Sequence, residues 1–393
     1  MNRELSNQPT SERRRRVLIT TAYFMSFIGL GLVAAVLGPA LPYLAELTRT
    51  NFSQISILFI ARSLGYLGGS ALSGYLYDRF PGHPLMTITL VGMGIVLFLT
   101  PQNALLWVLI VILFLTGISQ GTIDVGGNTL IVWQYGNNVG PYMNALHMFY
   151  GVGTFLVPVI IAQAVLITGS ITWGYWIIAA FVFIPAAQLF FLPSQQIPTR
   201  VSEDTAAGSK QLLVFLAALF LFCYSSLANI FGGWIFSYVI RLDLTSEANA
   251  AYITSMFWGA FMVGRLFSIP VAARFRPSSI LLGDLVGCLL SICIILIWPT
   301  SLTSIWIGAA GLGLSAASLF PTTVSLVERR VQISGRITSR FVFGSALGAM
   351  IPPWIVGQFF EISGPQIVIF SVFAAVVVGL GVYIFLMREI KTS

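Results

Sequence analysis

The chain has 393 residues, of which 57% are hydrophobic and only 8% are charged, whereas an average soluble domain is about 25% charged. This composition leaves too little polar surface for a soluble fold, so it excludes a soluble enzyme, a nucleic-acid-binding protein and a disordered chain. The net charge of +7 comes from basic residues at the ends of apolar segments, as in a protein whose partner is the lipid bilayer.

Long apolar segments follow one another along the whole chain. A helix crosses the hydrocarbon core with about 20 apolar residues, and these segments are too long for the strands of a barrel. We therefore predict an all-α membrane protein with twelve transmembrane helices, whose first segment is too long for a signal peptide. Gly232-Gly233 predicts a break in the seventh. The predicted spans are roughly 17–45, 52–76, 84–101, 104–134, 140–168, 173–192, 211–240, 249–272, 278–299, 302–327, 337–361 and 365–387.

The basic residues predict the orientation of these spans. An even number of helices with a cytoplasmic N-terminus puts both termini in the cytoplasm. Fifteen Lys and Arg residues then fall in cytoplasmic segments and two, Arg49 and Arg241, fall outside, as the positive-inside rule requires. We expect an integral plasma membrane protein, and the short loops favour a bacterial inner membrane.

A polar segment divides the chain into two halves. Residues 193–210 predict a cytoplasmic linker between an N-terminal six-helix bundle, 1–192, and a C-terminal six-helix bundle, 211–393. This layout resembles the major facilitator fold, which implies a substrate site near the midplane between two rocking halves.

The loop after the second span carries a motif of the same superfamily. Its sequence, Gly74-Tyr-Leu-Tyr-Asp78-Arg79-Phe-Pro-Gly, resembles the G-x-x-x-D-R-x-G loop. We expect Asp78 to pair across to Arg336 and Arg340 at the start of the eleventh helix, which would latch the cytoplasmic side in one state. The alternative is a solvated loop that only orients the chain.

Polar residues within the fourth and fifth spans are candidates for the functional site, because a charge at mid-bilayer costs about 2.5–3.5 kcal/mol. Gln120, Asp124 and Asn128 recur at i, i+4 and i+8 and so share one helix face. Asn144 and His147 share a face of the next helix. Such groups can bind a small cation, carry a proton or bind sugar hydroxyls. The alternatives are a structural salt bridge from Asp124 to Arg62, and interhelical hydrogen bonds for the amides.

Other embedded polar residues are harder to assign. Arg62 and Arg265 could hold an anionic substrate, but packing charges paired with an acid or with helix carbonyls are the favoured interpretation. Asp284 favours structural pairing. Asn229 and Trp234 flank the glycine pair of the seventh span, and an aromatic ring beside amides suits a sugar.

Three stretches of sequence point to one branch of this superfamily. They are Ala61-Arg-Ser-Leu-Gly-Tyr-Leu-Gly-Gly-Ser70, Gly121-Thr-Ile-Asp-Val-Gly-Gly-Asn128 and Gly140-Pro-Tyr-Met-Asn-Ala-Leu-His-Met-Phe-Tyr-Gly151. Together they are similar to the sodium-dependent glucose transporter branch and, more distantly, to fucose–proton symporters.

This resemblance implies cation-coupled uptake of a hexose-like sugar, with Asp124 and Asn128 coupling the cation and able to act as ligands of Na+. From the residues themselves we expect the sugar to be bound by Gln120, Asn144, His147, Asn229 and Trp234. We expect a monomer without a cofactor. The chain departs from the fucose-type pattern because the first span has no acid before Glu46.

Three other functions compete with this one. Gly117-Ile-Ser-Gln-Gly121 matches the G-x-S-x-G motif of hydrolases, but it lies within a membrane helix and not at a strand-to-helix turn, so we expect no enzyme. Two halves joined by a linker also argue against a channel. A proton-driven exporter of lipophilic compounds, which needs the same acid and an aromatic cavity, is the alternative that stays open.

Overall fold

The structure is a computed structural model that describes residues 10–194, 211–331 and 335–392. In these residues, twelve segments are long and apolar enough to cross a membrane, which confirms the all-α prediction. The first six spans contain the helices α1 Thr10–Ala35, α2 Leu37–Thr48, α3 Phe52–Ile55, α4 Ile57–Tyr77, α5 Gly82–Leu99, α6 Leu106–Tyr135, α7 Gly140–Thr168 and α8 Thr172–Phe191. The last six contain α9 Gln211–Arg241, α10 Glu247–Arg274, α11 Pro277–Ile297, α12 Leu302–Ala316, α13 Leu319–Glu328, α14 Gly335–Phe360 and α15 Ile367–Thr392.

The spans end on two faces of the bundle. The linker face holds the end of α8 and the start of α9, which flank the predicted linker. The opposite face holds the end of α2 and the start of α3. The predicted linker lies outside the described residues from 195 onward.

Two spans predicted as single helices are interrupted. The first changes direction at Val36, between α1 and α2, and the tenth is divided at Ala317 and Ser318, between α12 and α13. Each break is followed by a proline, Pro39 or Pro321, which has no N–H to donate to the preceding turn. The break predicted at Gly232-Gly233 in the seventh span is wrong, because α9 runs unbroken through both glycines.

Glycines allow α4 and α6 to approach at the level of the backbone. A Cβ added at Gly65 or Gly69 would overlap a backbone carbonyl of α6, and one added at Gly117 would overlap the carbonyl of Arg62 on α4. Small residues drive helix packing in a membrane because no hydrophobic effect does so there. This seam fixes the height of Arg62 and Tyr66 relative to the polar stripe on α6.

On the opposite face the first six spans close against the last six. Ser53 Oγ donates to Gln358 Oε1 at 2.7 Å, and Gln358 Nε2 donates back to the Ser53 carbonyl at 2.8 Å. The Phe52 N–H donates to Glu361 Oε1 at 3.1 Å. Nearby, a Cβ on Gly38 of α2 would come within 2.6 Å of the Gly232 carbonyl of α9. These contacts seal the opposite face.

Candidate functional site

A cavity of about 1010 Å³ lies between the two sets of six spans. Its deep wall includes the polar stripe of α6, and its mouth includes Pro277, Glu328 and Arg329 at helix ends on the linker face. Glu328 and Arg329 are exposed. The cavity is therefore open toward the linker face and closed toward the opposite face.

Asp124 lies at the centre of the polar wall, with neutral hydrogen-bond partners. The Tyr66 hydroxyl of α4 donates to Asp124 Oδ2 at 2.6 Å, and Asn128 Nδ2 donates to Oδ1 at 2.9 Å. The Asn128 side chain also donates to the Asp124 backbone carbonyl at 2.8 Å, so the amide oxygen of Asn128 keeps its acceptor capacity. A carboxylate held by two donors and flanked by an amide oxygen can take a proton or contribute oxygens to a cation site.

The α7 candidates share this cavity. Asn144 and His147 both line it, together with Gln120 of α6. The His147 ring packs edge-on against Phe27, with 5.9 Å between ring centroids. The first six spans thus bring five of the predicted polar residues to one wall: Gln120, Asp124, Asn128, Asn144 and His147.

The last six spans supply a second wall. Asn229 lines the cavity and donates to the Ser225 carbonyl at 2.9 Å, while the Ser225 hydroxyl bonds that of Ser345 on α14. On α10, Arg265 lies over the Phe261 ring with 4.7 Å between its guanidinium carbon and the ring centroid. Arg265 lines the same cavity as Tyr224 and Asp124 and lies close enough to both for electrostatic interaction.

Arg62 does not pair with Asp124, so the structural salt bridge between them that the sequence left open is absent. Its Nη1 instead donates to the Ala34 carbonyl at 2.6 Å, just before the break between α1 and α2. A cation at this position compensates the partial negative charge at the end of a helix. Asp284 accepts a hydrogen bond from Ser318 at the break of the tenth span and is not among the residues that line the cavity.

Trp234 does not line the cavity, although the sequence predicted that it binds the sugar. It is 0% exposed and donates from Nε1 to the Pro353 carbonyl at 3.0 Å. Its ring packs against Phe52, Phe59 and Phe360, with centroids 5.1–5.9 Å away. In this conformation Trp234 therefore belongs to the seal of the opposite face and not to the cavity wall, because α9 continues as a helix and carries it about 1.4 turns beyond Asn229, onto a different side of the helix.

The residues of the predicted latch lie on the linker face. Arg79 is exposed and stacks over the Tyr75 ring at 4.0 Å, and Arg340 is exposed at the start of α14. The Arg336 side chain lies outside the described residues. A Cβ on Gly74 would have no atom within 4 Å, so no close helix approach occurs at this glycine while the linker face is open.

Sequence reasoning missed three tyrosines that line the cavity. Tyr66 donates to Asp124, and Tyr150 and Tyr224 lie on the cavity wall with Arg265. Tyr66 follows Arg62 at i+4, and this polar pair on a glycine-rich helix was a usable signal. Tyr150 carried a similar signal, since it follows His147 at i+3.

Comparison with known proteins gives a consistent result. The family model of the Major Facilitator Superfamily matches residues 19–353. Sodium-dependent glucose transporter 1 of Xenopus laevis is 32% identical over 354 residues, which cover 82% of this chain and 72% of that protein. The human protein of the same description is 30% identical over 370 residues, covering 84% and 71%.

Solved structures share the fold. The nucleoside transporter NupG superposes with a TM-score of 0.72 at 13% identity, covering 96% of this chain and 99% of that one. A bacterial homologue of the human lysosomal transporter Spinster, in an inward-facing and occupied conformation, gives a TM-score of 0.75 at 13% identity and 98% coverage of both chains.

Proposed function

The chain belongs to the Major Facilitator Superfamily, so it is an integral membrane transporter and not an enzyme, and we propose that it couples the uptake of a hexose-like sugar to a cation, Na+ or H+. The observation that carries this proposal is the position of Asp124, a carboxylate with neutral partners in a cavity that opens to one face. Similarity to sodium-dependent glucose transporter 1 supports the sugar and the cation.

The coupling follows from the cost of the buried charge. Asp124 has neutral hydrogen-bond donors and no direct ion pair, and enclosing such a carboxylate in a low-dielectric cavity is unfavourable, so the empty cavity resists closing around it. A cation bound at Asp124 and Asn128 removes this penalty, while Gln120, Asn144, His147 and Asn229 bind sugar hydroxyls. The loaded transporter then changes state, because its ligands bind the occluded state better than the open one.

The linker face would be the cytoplasmic one, because it carries most of the basic residues. The structure then represents the state open to the cytoplasm. In the state open to the outside, Asp78 and Arg79 would close against Arg336 and Arg340 and form the latch. We further propose that the protein works as a monomer, since both walls of the cavity come from one chain.

Proteoliposome uptake tests the function. We expect labelled glucose to accumulate against its gradient when an inward Na+ or proton gradient is imposed, with the two ions varied separately. Asp124→Asn should abolish accumulation but leave downhill sugar exchange measurable, because the amide keeps the size of the carboxylate and loses its charge. Asp243→Asn, an exposed acid after α9, is the matched control and should behave as wild type.

Two results would contradict the proposal. Undiminished gradient-driven accumulation by Asp124→Asn would remove the coupling role of that acid. Extrusion of a lipophilic dye driven by a proton gradient, with no uptake of any sugar, would identify the exporter instead.

A further inference from the structure

The deep cavity contains more positive than negative charge. Among the described residues, two guanidinium groups, those of Arg62 and Arg265, line it together with one carboxylate, that of Asp124. The other charged lining residues, Glu328 and Arg329, are exposed at the mouth and have opposite signs. When a coupling cation neutralises Asp124, both guanidinium charges stay in the cavity, and enclosing them with a neutral sugar is costly.

The two arginines differ in what already compensates them. Arg62 is 9% exposed and donates to the Ala34 carbonyl, where the end of α1 contributes partial negative charge. Arg265 is less buried, and the groups near it are the Phe261 ring and the neutral hydroxyl of Tyr224. Its Nε is buried without a hydrogen-bond partner. Arg265 is therefore the cation of this cavity that most lacks a compensating anion.

The position of Arg265 suits a ligand that spans both halves. It lies on α10, whereas the polar stripe with Asp124 lies on α6 across the cavity. Asp124, His147 and Tyr224 line the same cavity as Arg265. Guanidinium binds carboxylates through paired N–H donors, and these charge-assisted bonds are about twice as strong as neutral ones.

We propose that the preferred solute is a sugar acid, whose carboxylate binds Arg265 while its ring hydroxyls contact the amides of the first six spans. The proposal rests on the proposed function and specifies its substrate class. Cation and carboxylate then enter together, and each neutralises one charge of the closing cavity. The solute also joins the two walls, since its carboxylate binds Arg265 on α10 and its hydroxyls bind the first six spans.

Competition and binding measurements at pH 7 test this inference. D-glucuronate is compared with D-glucuronamide, which has the same ring and a neutral amide in place of the carboxylate. We expect glucuronate to inhibit labelled glucose uptake at a concentration at least about tenfold lower than glucuronamide does. It should also raise the midpoint of thermal unfolding of the purified transporter at concentrations where the amide does not.

Variants locate the effect. Arg265→Gln should abolish the preference for glucuronate, whereas Arg265→Lys should keep part of it, because the ammonium retains the charge but loses the planar pair of donors. Arg274→Gln, an exposed arginine at the end of the same helix, is the control and should keep the full preference.

Equal potency of glucuronate and glucuronamide on the wild-type protein would overturn the inference, even if Arg265→Gln does not fold. Retention of the full preference by Arg265→Gln would also overturn it. If glucose accumulates and glucuronate neither binds nor competes, the inference fails and the proposed function stands. If glucuronate binds through Arg265 but no gradient drives sugar uptake, the inference stands and the proposed function fails.

Discussion

Replacing Trp234 by alanine should shift the transporter toward the state that is open on the opposite face. Trp234 is fully buried on α9, and two of its three ring partners, Phe52 and Phe59, belong to the first six spans. Those two contacts exist only while this face is closed. The contact with Phe360 and the hydrogen bond to Pro353 lie within the last six spans and can persist in both states.

The size of the shift follows from the cross-interface contacts. An aromatic pair contributes about 0.5–1.5 kcal/mol beyond its buried area. Two lost pairs therefore weaken the closed state by about 1–3 kcal/mol, which moves the conformational equilibrium by about 5- to 150-fold. Total stability falls further, by about 3–5 kcal/mol, because a buried Trp→Ala change also leaves a cavity. Trp234→Phe retains most of the ring contacts and should cause only a small shift.

Spin-label distances measure this equilibrium. Leu47 on α2 and Asn249 on α10 are exposed near the opposite face, one in each set of six spans. In a background without native cysteines, labels at these positions should show one short distance for the parent protein and for Trp234→Phe. Trp234→Ala should add a longer one. An unchanged distance distribution in folded Trp234→Ala would refute the idea that this ring biases the two states.

Two further predictions concern stability. Gly69→Ala should lower the free energy of unfolding by about 1–3 kcal/mol, because the added Cβ would overlap the backbone of Ile118. Gly68→Ala is the control and should be tolerated, because a Cβ there has no atom within 4 Å. Equal unfolding midpoints of the two variants in detergent would contradict the close packing of α4 against α6. Ser318→Ala should cost about 1–3 kcal/mol by leaving the Asp284 carboxylate without its donor, and should cost less in an Asp284→Ala background. A double-mutant cycle measures this coupling, and additive effects would show that the hydrogen bond contributes nothing.

Apolar length and basic-residue distribution were sufficient to predict the twelve spans, because the bilayer permits few alternatives. The breaks at Val36 and Ser318 were not predicted. Pro39 and Pro321 mark them, but prolines within α7, α8 and α10 leave those helices continuous. Neighbouring helices therefore decide which proline interrupts a span, and that information is tertiary.

The polar stripe on α6 could be predicted because helical periodicity alone puts its members on one face. Partners across helices could not be. Asp124 is bonded by Tyr66 and not by Arg62, although both lie on α4 one turn apart. The glycine seam sets the relative height of the two helices, and this height selects the partner. The same limit applies to Trp234, whose location depends on α9 staying unbroken.

The two interrupted spans have a mechanical consequence. One break leaves the short α2 beside the seal of the opposite face, and the other leaves the short α13 along the open mouth. Pro39 and Pro321 each remove one backbone hydrogen bond at these joints, so bending there costs less than bending a continuous helix. Each entrance is thus bordered by a short helix on a flexible joint, and we expect local bending of α2 or α13 to enclose a solute before the two six-helix bundles tilt.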